Sequence, residues 1–119
     1  MIDLAINVTK NDDWQVITLK GELDDYQAAK LTQTFNQIIG NGDTSIILNL
    51  NEVTFIDSVG LGTIAIAGKK LCDTSGQLFL VSNQDKISKM VTLSGIISAT
   101  KQTIQLFPTV EDATTSPTT

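Results

Sequence analysis

The chain has 119 residues, 41% of them apolar and 18% charged, which fits one globular domain whose core needs no disulfide or metal to hold it. The net charge is −5 with no basic cluster, which argues against nucleic acid or an anionic membrane as partner. One cysteine and no histidine exclude disulfide frameworks, the usual zinc ligand sets and histidine-dependent catalysis, and no cofactor is expected.

The chain starts Met1-Ile2-Asp3-Leu4, without the basic and long apolar segments of a secretion signal, and no apolar run reaches membrane-spanning length; the expected compartment is the cytoplasm. Ile2, Leu4, Ile6 and Val8 alternate with polar or small residues, the period-two pattern of a half-buried strand. Asn11-Asp12-Asp13 reads as a turn, and Trp14 to Lys20 as a second strand antiparallel to the first. Gly21-Glu22-Leu23-Asp24 closes that strand, and Asp24 and Asp25 are candidate N-caps for a helix with Ala28, Leu31, Phe35, Ile38 and Ile39 on its inner side. Gly40-Asn41-Gly42 stops it as a left-handed cap requires.

Ser45 to Leu50 is a near-continuous apolar run, as in a strand covered on both faces. A second helical stretch leaves the segment Thr54 to Gly62. Counting about 100° per residue puts Leu61, Ile64, Ala65, Gly68, Leu71 and Cys72 on a core side, and Ser58, Val59, Gly62, Thr63, Ile66, Lys69, Lys70 and Asp73 outside. Leu78 to Val81 is another buried strand. Ser82-Asn83 starts a third helix with Ile87, Met90 and Val91 inward and Gly95 as its stop. Thr103 to Phe107 is a weaker strand, Val110 to Ala113 a possible short helix, and Thr114 to Thr119 a disordered polar tail. This alternation predicts a small α/β sandwich with a mixed, mostly parallel sheet of four or five strands, and leaves strand order open.

The junction Asp57-Ser58-Val59-Gly60-Leu61-Gly62 stands where a strand ends and a helix begins. Its plainest reading is a helix cap. Two features weigh against that as the whole story. Asp57 can cap the helix alone, which leaves the Ser58 hydroxyl available, and the outer patch of Val59, Gly62 and Ile66 is unusually apolar for a solvated face. The glycines do not form a phosphate loop, whose lysine and spacing are missing. Cys72 reads as a structural thiol, Trp14 as packing, and the Asp24/Asp57 pair as capping rather than acid–base or magnesium chemistry.

Gly21-Glu22-Leu23-Asp24, Val53 to Gly62 and Gly76 to Val81 together resemble the STAS domain, and in particular the free-standing anti-sigma factor antagonists of bacteria, over residues 1–113. The resemblance implies helices mainly on one side of the sheet and a protein without catalysis of its own. It also implies a switch. The unmodified domain binds an anti-sigma factor that is a serine kinase, the kinase phosphorylates the motif serine and frees itself, and a metal-dependent serine phosphatase resets the system. Carried onto this chain, the phosphorylated residue is Ser58, and the partner-binding residues are Asp24, Asp57, Val59, Gly60, Gly62, Thr63 and Ile66, on a monomer. Two departures from the family pattern stand out. Val59 replaces a residue that is often small and hydroxylated, and the C-terminal helix is short or missing after Ala113. The alternative reading is a constitutive STAS scaffold subunit of a transporter or stress-signalling assembly, which binds irrespective of Ser58. A nucleotide-binding role ranks last, since no phosphate cradle or base is present.

Overall fold

The computed structural model describes residues 3–115. The alternating segments Ala5–Asn11 (β1) and Trp14–Leu23 (β2) form an antiparallel hairpin. Its two-residue turn holds Asp12 at φ 54°, a left-handed conformation that aspartate tolerates better than most side chains. Ser45–Ile56 (β3), Gln77–Val81 (β4) and Ile104–Phe107 (β5) follow, each parallel to the strand before it. The crossovers are α1 (Ala28–Gly40), α2 (Ser58–Asp73), and α3 (Asp85–Ser94) with the single turn α4 (Ile96–Ala99); α5 (Val110–Thr115) ends the described chain. The sheet order is β1-β2-β3-β4-β5, so every crossover adds its strand in the same direction and α1 to α4 stack on one face.

That face holds the main core. Leu31 and Phe35 of α1, Ile64 and Leu71 of α2, and Ile87 and Val91 of α3 close over Ile17, Leu19, Ile46, Leu48, Leu78 and Leu80. Each such aliphatic taken from water contributes about 1.5–3 kcal/mol. Residues of opposite parity, Trp14, Val16, Ile47, Phe79 and Val81, line the reverse face under Ala113 of α5. There the Phe79 ring lies 4.9 Å from Trp14 and 4.8 Å from Phe107. The expected mixed, mostly parallel sandwich is present with five strands.

Several boundaries differ from expectation, each for a physical reason. β1 runs on to Asn11 where the expected strand stopped at Val8, because the tight turn at Asp12-Asp13 fixes the register and draws polar Thr9 to Asn11 into the ladder; Ile2, expected in this strand, lies outside the described residues. β3 runs six residues past Leu50. Its pairing with β2 slips by one residue between Thr18 and Lys20 and again between Gly21 and Glu22, and these irregularities bring Leu50, Val53 and Ile56 all to the core at a spacing of three. Gly21 sits at this slip with φ 116°, a backbone state that glycine tolerates without strain. Between α1 and β3 the left-handed residue is Gly42 (φ 92°), and Asn41 stays right-handed. Thr114 and Thr115, read as the start of a tail, belong to α5, with both hydroxyls bonded back to the Glu111 carbonyl; the tail residues 116–119 lie outside the described residues.

Candidate functional site

Asp57 builds the site. Its backbone is extended and its Oδ1 accepts from the Gly60 amide at 2.8 Å, which makes it the N-cap of α2. This satisfies one of the unpaired first-turn donors and places a carboxylate at the positive end of the helix dipole. Its Oδ2 accepts from the Asp25 amide at 2.9 Å, and its own amide donates to the Leu23 carbonyl at 3.2 Å. One residue therefore ties the start of α2 to the end of β2 and to the turn into α1. Ser58 follows at the first helical position, exposed, with the capping already done by its neighbour.

The glycines around Ser58 have opposite environments. Gly60 is buried: a Cβ there would lie 2.6 Å from the Leu23 carbonyl oxygen and 2.9 Å from Leu23 Cγ, so its bareness lets α2 sit down on β2. Gly62, one turn beyond Ser58, would offer a Cβ nothing within 4 Å. Gly60, expected among the partner-binding residues, thus turns its Cα toward Leu23 and Ile56 of the protein itself. The expected outward position of Thr63 is corrected as well. It is 9% exposed, its hydroxyl donates to the Val59 carbonyl at 3.0 Å, and it lines the cleft between α1 and α2 with Thr32, Phe35, Asn36 and Ala67. The buried stripe of α2 is accordingly Gly60, Thr63, Ile64, Ala67, Gly68 and Leu71, rotated toward α1, and Leu61, Ala65 and Cys72 are only half-buried. Helical counting locates a face but does not foresee that α2 must pack on a neighbouring helix as well as on the sheet. Val59 (48% exposed) and Ile66 (58%) do lie outside.

Asp24 acts one turn earlier than a helix cap. Its Oδ1 accepts from Gln27 N at 3.0 Å and its carbonyl from Gln27 N and Ala28 N, while the geometric N-cap of α1 is Gln27, which makes no side-chain cap bond. Gln27 is buried and donates through Nε2 to Asp3 at 3.2 Å, pinning the segment before β1 to the start of α1. On the other flank, β3 extends beyond its pairing with β4. Gln84 closes this open edge, its Nε2 reaching the carbonyls of Leu50 (3.2 Å), Asn51 (3.0 Å) and Val53 (2.9 Å). Asn51 Oδ1 also accepts from Asn83 N at 2.7 Å. The junction is thus braced from both sides.

Two exposed aromatics escaped the sequence reading: Tyr26, 73% exposed in the turn after Asp25, and Phe55, 42% exposed near the end of β3. An aromatic set in the polar turn Asp24-Asp25-Tyr26-Gln27 was the available signal for the first. Among the described residues no group of three or more histidine, cysteine, aspartate or glutamate side chains is gathered to hold a metal. The cleft between α1 and α2 holds about 40 Å³, far below the several hundred Å³ of a small-molecule pocket. No helix among the described residues is long and apolar enough to cross a membrane.

The sequence pattern of the STAS domain matches residues 5–113. The chain belongs to the STAS domain family. This STAS domain is similar to the anti-sigma-B factor antagonist of Staphylococcus aureus (strain NCTC 8325 / PS 47), with 27% identity over 95 residues, covering 80% of this chain and 88% of that one. Among solved structures it is similar to an anti-sigma factor antagonist from Mycobacterium paratuberculosis, at 26% identity and TM-score 0.84, covering 95% of this chain and 92% of that one. It is also similar to the phosphorylated form of the Bacillus cell fate determinant SpoIIAA, at 25% identity and TM-score 0.70, covering 92% and 96%.

Proposed function

We propose that this STAS domain is an anti-sigma factor antagonist, a binding module without catalysis that docks on an anti-sigma factor serine kinase and is released when Ser58 is phosphorylated. The observation that carries the reading is the division of labour at the start of α2: Asp57 caps the helix and Ser58 is left exposed beside apolar Val59 and bare Gly62. The names of the relatives and the phosphorylated state of one of them support it.

Physical chemistry accounts for the switch without refolding. A phosphate on Ser58 adds about −1.5 to −2 charges near neutral pH. The helix N-terminus tolerates it, so the fold survives. Asp57 next door repels it, and a partner shaped to meet a neutral Ser-Val-Gly surface would have to bury it unmatched. That costs about 3 kcal/mol or more, a hundredfold or greater loss of affinity. The partner's metal-dependent phosphatase counterpart would restore the neutral state, and the encounter would take place in the cytoplasm on a monomeric domain.

The test is titration calorimetry of the purified serine kinase with wild-type protein, Ser58→Ala and Ser58→Glu, alongside mass spectrometry of the wild type after kinase and ATP treatment. The expected result is phosphate on Ser58, tight binding by wild type and Ser58→Ala, and weak binding by Ser58→Glu. Equal affinity of all three forms would instead identify a constitutive scaffold.

A further inference from the structure

We infer that Tyr26 is a specificity anchor of the partner-binding surface, packing with Val59 against an apolar spot on the serine kinase that is ringed by lysine or arginine. This inference rests on the function proposed above. Tyr26 is 73% exposed and Val59 48%, so each leaves a large apolar side chain without cover in the fold. Both are placed by the same carboxylate. Asp57 accepts from the amide of Asp25, the residue before Tyr26, and from the amide of Gly60, the residue after Val59. The backbone under Tyr26 is held further by the bonds from Gln27 and Ala28 to Asp24. An aromatic ring presented on a braced turn loses little freedom on docking, and tyrosine with its few rotatable bonds is enriched among the residues that dominate binding energy.

Charge states the chemistry of the occupant. Residues 21–29 and 54–62, which contain the two braced loops, carry Glu22, Asp24, Asp25 and Asp57 and no lysine or arginine, the next cations along the chain being Lys20, Lys30 and Lys69. A complementary surface is therefore basic around an apolar centre, and association with it is steered electrostatically and slowed by salt. Tyr26 contributes nothing to the buried core, so its side chain can be changed without disturbing the site that presents Ser58.

The experiment measures binding of the purified serine kinase to wild type, Tyr26→Phe, Tyr26→Ala and Tyr26→Lys, with Ser58→Glu as the control for the switch and the melting temperature of each as the control for the fold. Steady-state phosphorylation of Ser58 supplies a second readout. Expected are about tenfold weaker binding for Tyr26→Ala, a larger loss for Tyr26→Lys, near-wild-type binding for Tyr26→Phe, and a raised KM with unchanged kcat. If Ser58→Glu abolishes binding while Tyr26→Ala and Tyr26→Lys bind as wild type, the anchor is refuted and the switch stands. If wild type itself does not bind the kinase, the proposed function fails and the anchor fails with it.

Discussion

The two glycines that flank Leu61 should respond to alanine in opposite directions. At Gly62 the added methyl meets nothing within 4 Å, and the helix gains the usual preference of alanine over glycine, about 1 kcal/mol. For a chain of this size that raises the melting temperature by about 4 °C. At Gly60 the same methyl would lie 2.6 Å from the Leu23 carbonyl oxygen and 3.2 Å from Ile56 Cγ2. That oxygen belongs to the backbone and already accepts from the Asp57 amide, so it cannot yield without weakening the junction. Overpacking costs about 1–3 kcal/mol, more when backbone must shift, and a net loss of about 2 kcal/mol, or about 8 °C, is expected. Urea and thermal unfolding of both variants measure this directly. Should Gly60→Ala melt at or above wild type, α2 is not seated on β2 as described. Gly62→Ala also tests the proposed function: under that proposal a protein more stable than wild type binds the serine kinase less well, because its new methyl stands one helical turn from Ser58.

Asp57→Ala removes both the helix cap and the tie to Asp25, and should cost about 1–2 kcal/mol in urea unfolding, with faster hydrogen exchange at the Gly60 and Asp25 amides. Asp57→Asn keeps one acceptor for the Gly60 amide but turns its NH2 donor toward the Asp25 amide, so it should retain the cap and lose the tie to Asp25. Gln84→Ala removes the two N–H groups that three β3 carbonyls share and should cost about 1–3 kcal/mol by the same measurement. No change in the midpoint for Gln84→Ala would mean that water replaces the amide without penalty.

Much of the fold was legible because periodicity reports burial. Ile46 to Leu50 and Leu78 to Val81 are apolar on both faces, and both strands are covered on both sides. What escaped depended on contacts between distant segments. Period-two counting cannot anticipate a slip in register, so the apolar run marks the strand only as far as Leu50 and leaves residues 51–56 unassigned. The rotation of α2 toward α1, which buries Thr63 and leaves Cys72 half out, is a tertiary choice invisible to a wheel drawn for one helix. At the site, Asp57 as a lone cap and Ser58 as a free neighbour followed from local chemistry. The second bond of Asp57, to a residue 32 positions earlier, did not, and it is what brings Tyr26 into the neighbourhood.

The overhang of β3 has a consequence for how enzymes meet this protein. Only Ser45 to Asn49 of β3 pair with β4, so beyond Asn49 the strand has β2 on one side and Gln84 on the other, and it leads straight to the exposed Ser58. A kinase acting on Ser58, as proposed, would approach from that exposed end without prising either flank open. Under that proposal, what it would recognise is a folded corner made by three chain segments held in place by Asp57 and Gln84. A free peptide spanning residues 54–62 has the letters of that corner but not its shape, and would make a poor substrate.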